Sequence, residues 1–300
     1  MSAGHAHGGR SSSAGGNHRR ALARVLALVL AFVGVEVAAG LVTGSLTLLA
    51  DAGHMATDAL GVGMALAAIT AARRAARNPK KTFGHYRWEV LAALANATLL
   101  LGVAAYVVIE GIGRLRHPVE VHAEPMLVVA IAGLAVNLVS FRLLHAGAKE
   151  SINVRGAYVE VMSDAIGSVG VIVSAIVILT TGWPYTDAVV ALALAAFIAP
   201  RALRLAGEAI RIVVQAAPPS IDVRLLTAEL GVLPSVTDVH DVHVWTLTSG
   251  MDVASVHLVS DAKTTAHVVR AAQRVLSEHG LAHATVQVED GSGGHCGAEW

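Results

Sequence analysis

The stretch Leu48–Asp58, LLADAGHMATD, places two carboxylates and an imidazole inside an apolar run that continues to Ala72. On an α-helix of about 3.6 residues per turn, Asp51, His54 and Asp58 share one face, at i, i+3 and i+7. Each ionisable group at bilayer depth costs roughly 2.5–3.5 kcal/mol on insertion scales, so three on one segment require a compensating partner. A bound cation supplies one. A matching pair stands further along: in Ala157–Gly170, AYVEVMSDAIGSVG, Glu160 and Asp164 lie one turn apart on a second apolar helix. His54, Asp58, Glu160 and Asp164 together offer one imidazole and three carboxylates, a four-ligand set for a divalent metal. No lysine or arginine falls in the middle of an apolar segment, so the protein itself is not expected to provide a counter-charge.

These residues need a membrane to hold them. Of the 300 residues 54% are hydrophobic and 15% charged, and the mean hydropathy is +0.60, too apolar for an ordinary soluble protein. Formal net charge is zero and the arginines fall between apolar runs, which leaves no basic patch for nucleic acid. The single cysteine, Cys296, excludes an internal disulfide or a CxxC site. Fifteen histidines against four tyrosines and four phenylalanines lean towards metal handling. There is no HExxH, Ser/Lys or paired-Asp signature of an intramembrane enzyme. Low lysine with abundant alanine and arginine suits a GC-rich bacterial genome.

Six apolar segments, near 22–43, 46–72, 88–112, 124–144, 155–181 and 185–205, approach the roughly 20 residues needed to cross about 30 Å of hydrocarbon. The sixth is shortened by Pro200 and Arg201. Arg19, Arg20 and Arg24 precede the first segment; Arg73, Arg74, Arg77, Lys80 and Lys81 fill the second connection, and Arg142, Lys149 and Arg155 surround the fourth. The first and fifth connections carry no basic residue. Both termini are therefore expected in the cytoplasm, with Arg114 and Arg116 running against the trend. In that topology the second and fifth segments run in opposite directions and bring their acid pairs to the same depth, where Gly53, Gly61, Gly167 and Gly170 allow close approach.

Residues 1–20, with His5, His7 and His18, show no apolar period and no cleavage site, and are expected to form a disordered cytoplasmic tail that recruits metal or is simply solvated. After Ala216-Ala217-Pro218-Pro219 the pattern becomes that of a small soluble domain. A helix over Ser220–Leu233 capped by Ser220, strands over Val236–Thr248 and Asp252–Ser260, a helix over Thr264–His279 and a strand over Ala284–Val288 give an αββαβ order. The divisions expected are a tail over 1–20, a six-helix transmembrane domain over 21–207, an α+β cytoplasmic domain over 208–291 and a flexible tail over 292–300. His295 and Cys296 in that last stretch are either a further ligand pair or a free thiol and its neighbour.

The motifs have a family likeness. LLADAGHMATDA closely resembles the second-helix signature of the cation diffusion facilitator family of metal/proton antiporters, and NVRGAYVEVMSDAIGSVGVI its fifth-helix signature. TFGHYRWEVLAALAN is similar to the segment entering the third helix, and VHDVHVWTLTSG with HATVQVED to the cytoplasmic tail. The resemblance runs from about Glu36 to Asp290, in the expected order.

It implies a homodimer with a ferredoxin-like, metallochaperone-like cytoplasmic domain, exporting divalent metal from the cytoplasm against an inward proton gradient. In zinc-selective relatives the site often carries His–Asp on both helices; Glu160 stands where the second histidine would be. Extra oxygen donors favour harder ions, which brings cobalt, manganese and iron alongside zinc and cadmium, with Zn²⁺ as the first expectation. His240, His257, His283 and Glu289 match positions that form cytoplasmic metal sites at the dimer interface in relatives. His283, Gln287 and Glu289 alternate onto one strand face, whereas His243 and His267 are read as exposed or packing residues. His85 matches a lesser site in the second connection, but Asn78 and Lys81 occupy its partners' places, so a solvated loop histidine remains as good a reading.

Metal and protons would compete for one site. A divalent ion keeps the carboxylates charged, and after its departure carboxylates left in hydrocarbon take up protons. A helix pair opening alternately to either side then gives antiport without ATP. Two rivals stand beside this: a transporter of a small organic cation, and a membrane-anchored metal sensor or buffer that transports nothing. Asp51 is either a relay at the outer mouth or a hydrogen-bonded helix-start residue, and Glu36 and Asn137 receive no role.

Overall fold

The computed structural model of this chain describes residues 12–75, 83, 86–148, 152–248, 250–261 and 265–290. Eight helices and three strands are seen among them: α1 (Ser12–Thr43), α2 (Leu46–Ala75), α3 (Tyr86–Arg116), α4 (Ala123–Ala148), α5 (Ile152–Thr181), α6 (Thr186–Val213), α7 (Val223–Gly231), β1 (Val236–Thr248), β2 (Met251–Ser260), α8 (Thr265–Glu278) and β3 (His283–Glu289). They divide into two compact units. The first runs up to Ala67 and includes Ala95–Ala206; the second comprises Ala68–Leu94 and the chain from Gly207 onward.

Ala23–Thr43, Arg87–Arg116, Ala123–His145, Tyr158–Thr181 and Thr186–Val213 are each long and apolar enough to cross a membrane. α2, of 30 residues, is as long as the longest of these and carries Asp51, His54 and Asp58. α1 begins at Ser12, so residues 12–20 are helical where a tail was expected: once the apolar segment has nucleated a helix, extending it backwards fixes one residue per hydrogen bond. α6 likewise runs through Pro200 and continues to Val213, beyond the expected end near residue 205. Glycine marks both tight connections, Gly44 at φ 71° between α1 and α2, and Gly182 at φ 66° after α5, whose N–H caps the Ile178 carbonyl at 2.8 Å.

In the first unit the apolar packing centres on α2. Met55 and Ala59 pack with Phe32, Leu144 and Val161, Leu48 with Met126 and Val171, and Leu46 and Ala50 with Val107 and Ala191. On α5 the opposite side presents Met162, Ile166, Val169, Val173 and Ile176 outward at alternating spacings of four and three. An apolar stripe facing out, with acids facing in, inverts the arrangement of a water-soluble bundle.

The second unit contains a three-stranded sheet in the order β1-β2-β3, with β1 and β2 antiparallel and β2 and β3 parallel through α8. Leu226 and Leu230 of α7 and Val268, Ala272 and Leu276 of α8 cover Val244, Ala254, Val256 and Leu258 on one sheet face. The αββαβ order is as expected. The cap of α7 is Asp222, however, not Ser220: its Oδ1 accepts from the N–H groups of Arg224 at 2.9 Å and Leu225 at 3.2 Å.

Candidate metal centre

The spacing read on α2 does bring its polar residues to one face, and α5 meets it. His54 and Asp164 are 5% and 3% exposed. The imidazole lies between two carboxylates, with Nδ1 3.4 Å from Asp58 Oδ2 and Nε2 3.6 Å from Asp164 Oδ1. One donor atom from each of His54, Asp58 and Asp164 lies within 4.8 Å of the others. Zinc–ligand bonds of about 2.0–2.2 Å place neighbouring donors some 3.3–3.6 Å apart in a tetrahedral shell, so the side chains must draw inward by up to roughly 1.5 Å to grip one ion. Asp58 Oδ2, Asp164 Oδ1 and His54 Nδ1 are buried without a hydrogen-bond donor or acceptor. Buried polar atoms without partners are rare and costly, and a cation would satisfy these.

Glu160 is placed differently. Its Oε2 is taken by Arg201 Nη2 of α6, while Oε1 is buried and unpartnered, and its carboxylate neighbours that of Asp58. It is not among the three residues whose donor atoms converge. The absence of any counter-charge, expected from the sequence, is therefore corrected: α6 remains helical past Pro200, and the long guanidinium side chain reaches across to α5 from a position that looked like the helix end.

A cavity of about 260 Å³ adjoins the site, lined by Asp51, His54, Gly167, Val190, Leu194 and Phe197 among others. Asp51 is wedged against α5: a Cβ on Gly167 would stand 2.7 Å from Asp51 Oδ1. Glu36, beside Gly133, and Asn137, which donates to Ser168 Oγ at 3.1 Å, complete a buried polar layer next to it.

At the end of the bundle that holds the α1–α2 and α5–α6 connections, Asp187 organises three helices. Its carboxylate accepts from Ser45 Oγ at 2.7 Å and from the N–H groups of Leu46 at 2.6 Å and Thr47 at 3.2 Å, which caps α2. Arg114 of α3 stands 3.5 Å from the same carboxylate, pairs with Glu110 at 3.0 Å and donates to the Gly44 carbonyl. Arg114, anomalous in the sequence as a basic residue at that end, is thus neutralised by two acids.

The second unit carries its own cluster. His240 of β1 is paired directly with His257 of β2, their rings 5.5 Å apart. His257 Nδ1 is 3.0 Å from Glu289 Oε1, and His240 Nε2 3.5 Å from Glu289 Oε2. The register between β1 and β2 slips between His240 and His243, where Asp241 takes a left-handed φ of 48°. This bulge swings Asp241 Oδ2 to 3.9 Å from His257, and donor atoms of His240, Asp241 and His257 come within 4.8 Å of one another. Asp241 escaped the sequence reading because its place depends on that irregularity. His283, expected with them, pairs instead with Val253 at the far end of β3. Six residues at about 3.3 Å each separate it from Glu289 along the strand, too far to share an ion within one chain. His85, with Asn78 and Lys81, and His5, His7, His295 and Cys296 lie outside the described residues.

A family model described as the cation efflux transmembrane domain matches residues 22–214, and one described as the cation efflux protein cytoplasmic domain matches residues 218–291. The chain is 40% identical over 292 residues to the metal cation efflux system protein CzcD of Cupriavidus metallidurans, which covers 96% of this chain and 90% of that one. It is 33% identical to the cadmium, cobalt and zinc/H(+)-K(+) antiporter of Bacillus subtilis, covering 93% and 92% respectively. Identity to the zinc transporter ZitB of Escherichia coli is 36%, covering 91% and 88%.

Proposed function

Because the chain belongs to the cation efflux family, a family of multi-pass membrane metal transporters and not of enzymes, we propose that it exports divalent metal, zinc first with cobalt and cadmium beside it, from the cytoplasm in exchange for protons. The observation that carries this reading is the buried triad of His54, Asp58 and Asp164, whose donor atoms converge and of which His54 Nδ1, Asp58 Oδ2 and Asp164 Oδ1 have no hydrogen-bond partner. The names of these relatives mention zinc, cadmium and cobalt, and a nitrogen donor among oxygens suits those borderline ions.

In this account the ion binds between α2 and α5 while the two carboxylates are charged. When it leaves, Asp58 and Asp164 cannot remain as bare anions in a low-dielectric site and take up protons, which the next ion displaces. His54 presents one ring nitrogen to the ion. Close helix approach at Gly167 lets α5 shift against α2, and alternate exposure of the site moves metal one way and protons the other.

The membrane domain is assigned to residues 21–207, with both termini in the cytoplasm of a bacterial inner membrane. The cytoplasmic domain, residues 208–291, pairs with a second copy to form a homodimer and holds metal on His240, Asp241, His257 and Glu289.

Zinc-driven proton movement in sealed vesicles containing the full chain tests the exchange. Proton release should accompany each pulse of zinc and vanish in Asp58→Ala. Zinc movement indifferent to collapse of the pH gradient would remove protons from the account. Manganese or iron as the main cargo is disfavoured by Arg201, which occupies the carboxylate that would have made the site richer in oxygen. A panel of zinc, cobalt, cadmium, manganese and iron toxicity in a sensitive host separates these cargoes.

A further inference from the structure

We propose that Arg201 is a resident counter-cation of the transport site, withholding Glu160 from the cargo and thereby setting how tightly the site holds a divalent ion. This rests on the reading of His54, Asp58 and Asp164 as the cargo ligands.

Glu160 borders the triad, its carboxylate against that of Asp58, but its donor atoms are not among those that converge. Asp58, His54 and Asp164 converge, while Glu160, one turn from Asp164, has one oxygen engaged by the guanidinium and the other buried. Arg201 is held in place by its own helix, because Ile198 and Ala202 on either side of it pack into a buried cluster with Leu100 of α3. The guanidinium thus comes from a fixed backbone and reaches the acid without helix distortion.

Charge counting gives the pair a purpose. With metal bound, Asp58, Glu160 and Asp164 carry −3 and the neutral imidazole nothing, Asp51 of the adjoining cavity lying outside this trio. The guanidinium brings the sum to −2, equal and opposite to the cargo. A transporter must release what it binds; a third free carboxylate would deepen the well and slow release, and uniformly tighter binding lowers KM without raising turnover. Arginine suits this role because its charge does not depend on pH and its fork holds a carboxylate firmly.

The test measures initial rates of zinc transport against zinc concentration, with the full chain in sealed vesicles, for Arg201→Gln, Glu160→Gln, the double variant and Arg201→Lys. Freed Glu160 in Arg201→Gln should lower KM about tenfold or more and reduce kcat. Glu160→Gln leaves a bare guanidinium beside the ion and should raise KM by a similar factor. The double variant, which restores the charge sum, should return KM to within about threefold of the parent, and Arg201→Lys should stay close to it. If Glu160 is instead a standing ligand and Arg201 only a structural prop, the double variant will be as weak as Glu160→Gln, and that result overturns the proposal. Loss of Arg201→Gln to misfolding does not remove the test, since the double variant, compared with Glu160→Gln, still gives opposite results under the two accounts. Asp58→Ala and Asp164→Ala run beside them: transport surviving in those would reject the cargo site itself, whereas its loss there with unchanged KM in Arg201→Gln would reject only the role of Arg201.

Discussion

His54 and Asp164 face each other at 3.6 Å across the α2–α5 interface, although each belongs to a separate polar pair in the sequence. Both are buried, and the histidine touches Asp58 of its own helix as well. The contact ties the two helices beside the apolar packing of Met55 and Ala59 with Val161. A buried imidazole flanked by two carboxylates holds together well only when something positive lies among them, a cation or protons. Function and packing therefore draw on the same three side chains.

Asp187 is expected to matter for folding and not for cargo. Asp187→Ala strands the Ser45 hydroxyl and the N–H groups of Leu46 and Thr47 at once and leaves Arg114 with Glu110 as its one acid, at a cost of about 3 kcal/mol or more. A lower thermal unfolding midpoint in detergent should result. Adding Arg114→Ala should cost less in that background than alone, because the two share one network.

Gly167→Ala should impair transport far more than Gly170→Ala. A methyl at 167 meets Asp51 Oδ1 at 2.7 Å, inside a buried layer, whereas at 170 it meets Val190 at an ordinary 3.6 Å. Overpacking of this kind costs about 1–3 kcal/mol and would push Asp51 towards His54. Zinc transport rates at equal protein levels check it: a several-fold loss is expected at 167 and little change at 170.

Much of the membrane unit was legible because its signals are local. Helical spacing put Asp51, His54 and Asp58 on one face, and six apolar runs set the helices. Arg201 was visible within the sixth segment, but its role was not: that its guanidinium reaches Glu160 depends on how α6 packs beside α5, which helical spacing along one segment does not give. In the smaller unit the strands followed from alternation, but Asp241 depends on a bulge and a left-handed backbone that no periodicity announces. His283 shares a strand face with Glu289, yet distance along the strand, invisible in a parity argument, separates them.

The cytoplasmic cluster makes a further prediction. His257→Ala and Asp241→Ala should each lower the zinc bound per full chain at equilibrium dialysis, while His283→Ala should not, since it lies at the opposite end of β3. Chelation of that zinc should lower the unfolding midpoint of the unmutated chain by mass action and leave that of His257→Ala nearly unmoved.

The most direct test of the central claim, that side chains of α2 and α5 grip one cargo ion, is zinc accumulation in energised everted vesicles by the chain carrying Asp164→Asn. This change keeps shape and removes one charge. Accumulation should fall about a hundredfold, to the level of vesicles lacking the protein, with the same amount of chain in the membrane. Accumulation within twofold of the unmutated chain would contradict the account.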